Sequence, residues 1–70
     1  MNHTFPLTSD YIELNKLLKL LSLAESGWHA KKIITEWQVS VNSVIETRVR
    51  NKLKAGDVVK YLENIVTIKN

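Results

Sequence analysis

The chain has no cysteine, one proline and two glycines among its 70 residues. Without cysteine there is no disulfide framework, thiolate zinc site or thiol nucleophile. Its two histidines, His3 and His29, lie far apart in sequence and make no chelating pair. Glu25, Glu36 and Asp57 are isolated acids without the paired arrangement of general acid–base chemistry. No glycine-rich phosphate loop occurs: Ala55-Gly56-Asp57 reads as a turn, and Ser26-Gly27 has no visible base and reads as a helix cap. The apolar stretches are short and interrupted by lysine, so none spans a membrane. The start, Met1-Asn2-His3-Thr4-Phe5-Pro6, lacks the basic end and apolar centre of a secretory signal, and the chain is expected in the cytoplasm. A chain this short makes one domain that buries roughly 60% of its unfolded surface. It rarely supplies both the walls and the supporting shell of a catalytic cleft. The expectation is therefore no enzyme, no metal, no cofactor and no small-molecule substrate.

What is present is ordinary for a globular protein: 44% hydrophobic and 24% charged residues. Apolar material suffices for a core, which excludes disorder. The formal net charge is +3, and its placement matters more than its size. Arg48, Arg50, Lys52, Lys54 and Lys60 face only Glu46 and Asp57 in one short window, whereas the rest of the chain is balanced. Such a window makes a local positive field that a polyanion would feel.

Residues 1–12 read as an N-terminal arm with a short edge strand near Thr4–Leu7, and residues 13–70 as the domain proper. Leu14, Leu17, Leu18 and Leu21 recur at helical spacing and predict a helix over about 14–21. Ala30, Ile33, Ile34 and Trp37 repeat the stripe and predict a second helix over about 27–36, with Ser26 as its N-cap. Two amphipathic helices joined by a few residues make a helical hairpin. After Gln38 the period falls to two. Val39-Ser40-Val41 and Val44-Ile45 read as strands about an Asn42-Ser43 turn, and 58–62 and 65–68 as strands about Glu63-Asn64. The class is α+β: a two-helix hairpin packed on a small, mostly antiparallel sheet. The expected core joins Leu14, Leu17, Leu18, Leu21, Ala30, Ile33 and Ile34 to Val39, Val41, Val58 and Ile68.

Arg48, Arg50, Lys52 and Lys54 stand at every second position, so an extended segment would project all four cations from one side. Two roles fit: an edge that resists unwanted pairing, or a row that binds anions. Trp28 falls opposite Ala30, Ile33 and Ile34, beside Lys31 and Lys32. It suits either a base-stacking platform flanked by phosphate-binding lysines or a lid packed under the arm near Phe5 or Pro6.

The ordered set Leu14-x-x-Leu17-Leu18, Leu23-Ala24-x-Ser26, Ala30-x-x-Ile33-Ile34, Val39-x-Val41-Asn42 and Gly56-Asp57-Val58-Val59 resembles the RNA-binding domain of ribosomal small-subunit protein four, the alpha-L motif. The stretch Glu46-Thr47-Arg48-x-Arg50-x-Lys52-Leu53 is similar to small stand-alone bacterial members of the YbcJ and YaaA type. The resemblance covers about residues 11–62. It implies a non-catalytic domain that binds structured RNA, ribosomal or transfer RNA among the candidates, and works as a monomer. Lys31 and Lys32, with Arg48, Arg50 and Lys52, match the positions that meet the RNA backbone. Lys54 and Trp28 join the candidate site from the pattern alone. The sequence departs from the motif where Gly27 stands for Arg, Trp37 for Gly, Ser43 for the Gly of Asn-Gly, and Glu13 for an opening Arg. The competing reading is a protein-interaction adaptor that docks an acidic partner on the basic row. DNA is disfavoured, because the second helix offers no Arg, Asn or Gln for bidentate base contacts.

Overall fold

The leucine stripe forms a helix, α1 (Leu14–Leu20), and Ser26 opens a second, α2 (Gly27–Thr35), in a computed structural model that describes residues 1–70. The Ser26 hydroxyl accepts the His29 N–H at 3.1 Å, satisfying one of the free amides of the first turn. His29 Nδ1 in turn accepts the Glu25 N–H at 3.0 Å, so the ring belongs to the helix start. Both helices end alike. Beyond α1 the Leu23 N–H reaches the Leu18 carbonyl at 2.9 Å, with Ser22 at φ 59°. Beyond α2 the Gln38 N–H reaches the Ile33 carbonyl at 3.3 Å, with Trp37 at φ 65°. These are Schellman closures, which require a left-handed residue after the cap and usually take glycine. Leu21 is therefore a half-buried cap residue and not part of the helix, one residue short of expectation.

The strands are β1 (Asn2–Pro6), β2 (Ile12–Glu13), β3 (Val39–Val41), β4 (Val44–Ile45), β5 (Lys52–Leu53), β6 (Val58–Tyr61) and β7 (Asn64–Lys69). Five form one sheet in the order β1-β7-β6-β3-β4, antiparallel except for the parallel β1–β7 edge. The first strand thus lies beside the last, in a register that sets Thr4 opposite Thr67. Its start at Asn2 is earlier than the Thr4–Leu7 expected from sequence. Asn42 and Ser43, at φ 51° and 70°, turn β3 into β4, the two positive angles that a type I′ hairpin demands. The Asn42 side chain also accepts the Val58 N–H at 2.9 Å and donates to Asp57 at 3.1 Å. β2 and β5 pair separately as a two-residue antiparallel ladder.

The core comprises Leu14, Leu17, Leu18 and Ala24, then Ala30, Ile33 and Ile34, closed by Val39, Leu53, Val59, Val66 and Ile68 from the strands. Each fully buried Leu, Ile or Val contributes roughly 1.5–3 kcal/mol relative to exposure. Three expectations change. Val41, expected in the core, is only half-buried and packs against it. The β6–β7 turn falls on Leu62-Glu63, one residue earlier than Glu63-Asn64, and Leu62 takes φ 55°. The inward residue of β6 is Val59, not Val58. Val59 pairs with Val66, whereas Val58 pairs with Thr67, and alternation then sends Val66 and Ile68 inward together. No helix is long and apolar enough to cross a membrane.

Candidate nucleic-acid interface

The basic segment between β4 and β5 is held through its backbone. The Asn51 carbonyl accepts the Leu14 N–H at 2.9 Å, and the Val49 carbonyl accepts the Asn15 N–H at 3.1 Å. Glu13, the N-cap of α1, makes no side-chain capping bond, so these loop carbonyls satisfy amides that the helix itself leaves free. Leu53 is fully buried and Val49 packs against the core, which anchors the segment on alternate residues. Arg48, Arg50, Lys52 and Lys54 are all exposed.

The expected continuous strand over 48–54 is not formed: only Lys52–Leu53 is extended in a ladder, and Val49-Arg50 is a turn. The reason lies in the partner. Beyond Glu13 the chain coils into α1, so β2 offers two residues of ladder and then helix amides, toward which the loop bends. The alternation of exposure survives, but the row divides. Arg48, Arg50, Asn51 and Lys52 line one hollow of about 450 Å³ without a hydrophobic residue. Lys54 lies outside that lining, and its backbone N–H donates to the Asp57 carboxylate at 2.8 Å.

Within the hollow the cations are not equivalent. Arg48 Nε and Nη2 each donate to the Glu46 carboxylate at 3.0 Å, and the Arg48 backbone N–H donates to it at 2.9 Å. Hydrogen bonding from the Arg48 side chain, opposed by burial, holds the Glu46 carboxyl below its ordinary range. The same bond raises the Arg48 guanidinium. Apart from this pair the chain has one other ion pair, Glu13–Lys16 at 3.7 Å. Arg50 and Lys52 therefore carry unanswered charge, and the Lys52 ammonium lies 4.9 Å from the centre of the Tyr11 ring, within cation–π range.

A second charged surface lies on α2, where Trp28, Lys31, Lys32 and Thr35 line a hollow of about 170 Å³. Trp28 is 71% exposed, so it is not a lid beneath the arm. The arm is already engaged as β1 at the far edge of the sheet, and Trp28 points opposite the buried stripe of its helix. Lys32 Nζ sits 5.6 Å from its ring centre. The two hollows share no lining residue. Sequence reasoning missed two participants. Glu46 was visible as an acid two residues before Arg48, but nothing in the spacing announced the bidentate pair. Tyr11 lies outside every periodic stripe, and only the β2–β5 ladder brings it to Lys52. No group of His, Cys, Asp and Glu side chains is assembled to hold a metal.

A helical hairpin leaning on a small mixed sheet, with cations displayed on its second helix and on a backbone-pinned loop, defines a small α+β domain built to present positive charge. The chain belongs to the S4 domain family, whose match spans residues 5–69, in agreement with the motif resemblance. It is 43% identical over 58 residues to the Escherichia coli K12 protein named "Putative RNA-binding protein YbcJ", covering 83% of each chain. It is 35% identical over 60 residues to the "Probable ribosome maturation protein RlbA" of Bacillus subtilis 168, covering 86% of this chain and 84% of that one. The solution structure of Escherichia coli YbcJ, described as revealing an alpha-L motif involved in RNA binding, matches with a TM-score of 0.73 at 41% identity. That match covers 96% of this chain and 86% of YbcJ.

Proposed function

We propose that this chain is a non-catalytic, monomeric cytoplasmic module that binds structured RNA, ribosomal or transfer RNA, through the phosphate backbone. The observation that carries the reading is the polar hollow of Arg48, Arg50, Asn51 and Lys52, two of whose cations have no acidic partner. Such groups are free to displace counterions from RNA. Lys31 and Lys32 extend the contact on α2, Trp28 offers an exposed aromatic face beside them, and Lys54 adds charge outside the hollow. The named relatives support an RNA ligand, since the names given to YbcJ and its structure refer to RNA binding. Shape and backbone contacts, more than base edges, then carry recognition.

The test is binding to a structured RNA across a salt series. With about four or five phosphate contacts, log affinity falls with log salt at a slope of roughly −3 to −4. Arg50→Ala flattens the slope by about one contact's share and leaves the choice of RNA unchanged. Salt-independent binding, or binding confined to an acidic protein, refutes the reading and favours the adaptor.

A further inference from the structure

Beside the cationic hollow lies a second concavity of quite different chemistry. Phe5, Leu7, Tyr11 and Ile12 wall a pocket of about 420 Å³, with Glu13 and Lys16 also lining it. Its volume falls in the range of small-ligand sites, and its lining is half apolar and half polar, Thr8 and Ser9 standing with Glu13 and Lys16. The two concavities adjoin. Tyr11 lines this pocket, Lys52 lines the cationic hollow, and the Lys52 ammonium lies 4.9 Å from the Tyr11 ring centre. The β2–β5 ladder fixes this junction by setting Glu13 opposite Lys52 and Ile12 opposite Leu53.

We infer that the pair of concavities receives one unpaired nucleotide of the bound RNA, its base against Tyr11 in the mixed apolar and polar pocket and its phosphate on Arg50 and Lys52. The inference rests on the RNA-binding reading above and deepens it by naming the class of RNA: one with a bulged or looped-out residue, not an uninterrupted duplex. Three features converge. A paired base hides its faces in the stack, whereas an extruded base can lie on an aromatic ring. Tyr11 is 41% exposed and belongs to no part of the buried core, and Lys52 covers one face of its ring, so a base would meet the other face. Glu13 and Lys16, an ion pair at 3.7 Å, supply an acceptor and a donor for the base edge.

The experiment compares three RNA hairpins of the same stem: fully paired, carrying one bulged nucleotide, and carrying the same bulge as an abasic ribose phosphate. The parent chain is expected to bind the bulged hairpin roughly five- to a hundredfold more tightly than the other two, the range of one stacked base. Tyr11→Leu should erase that preference, and Tyr11→Phe should keep it. Arg50→Ala should weaken all three together. Equal parent affinity for the three hairpins, or a Tyr11→Leu variant that keeps the preference, overturns the inference while leaving phosphate-driven RNA binding intact. Failure of the parent to bind any hairpin in a salt-dependent manner defeats the functional proposal itself. The abasic comparison uses the unaltered chain and so does not depend on how Tyr11→Leu folds.

Discussion

Glu46 restrains the basic loop, and releasing it should strengthen RNA binding. Its carboxylate takes both Arg48 side-chain bonds at 3.0 Å, leaving a nearly neutral pair where the sequence shows a cation. Glu46→Gln keeps an oxygen to accept the Arg48 backbone N–H, bonded to Glu46 at 2.9 Å, and so preserves the loop. It removes the charge that competes with phosphate for the guanidinium. One freed cation adds about 0.7–0.9 to the magnitude of the log–log salt slope. Between about 50 and 200 mM salt this makes the variant's advantage over the parent shrink about threefold. The assay is fluorescence anisotropy of a labelled structured RNA at four or more salt concentrations. Arg48→Ala should weaken binding, because it leaves the Glu46 carboxylate facing the RNA alone. The Glu46→Gln, Arg48→Ala double variant should bind better than Arg48→Ala, closing a double-mutant cycle with a measurable coupling. A Glu46→Gln variant with the parent's slope, or with weaker binding at low salt, refutes the account.

Because the folded Glu46 carboxyl titrates below its ordinary value, its contribution to stability is present above the unfolded pKa. That contribution fades as pH falls through the lowered folded value. The difference in stability between parent and Glu46→Gln should accordingly be largest near neutrality and vanish in acid, as followed by urea melts across pH. Trp28→Ala should leave the urea midpoint almost unmoved, within about 0.5 kcal/mol for an exposed side chain, and weaken RNA binding only if a base stacks on the ring; an altered salt slope would contradict stacking. Trp37→Gly should raise stability by up to about 1 kcal/mol by relieving a left-handed tryptophan, since Trp37 is 71% exposed and at φ 65°; a fall in thermal midpoint would show that its ring contributes more than the strain costs. Leu53→Ala should cost about 2–5 kcal/mol and speed hydrogen exchange at the Leu14 and Asn15 amides, which bond to the basic loop beside it.

The helices were legible in the sequence because their signals are local. The leucine and isoleucine stripes repeat within one turn of their neighbours, and Ser26 caps within three residues, so no distant contact was needed to read them. The Asn42-Ser43 turn was equally local. With only two glycines, left-handed positions had to fall on other residues, and they fall on Ser22, Trp37, Asn42, Ser43 and Leu62 as well as Gly56.

The site was legible in composition but not in shape. Alternating charges at 48–54 foretell that Arg48, Arg50, Lys52 and Lys54 face solvent and that Val49 and Leu53 anchor, whereas Asn51 lines the hollow and Ala55, also placed on the inner side by the alternation, is exposed. That α1 begins just past Glu13, truncating the ladder at two residues and bending the loop onto the helix amides, depends on residues more than thirty positions away. The same long-range pairing sets Tyr11 beside Lys52. Residue type and spacing determine which groups are charged, apolar or turn-forming. Which charges stay free, and which aromatic stands next to them, is decided by backbone hydrogen bonds between distant segments, whose register no local pattern encodes.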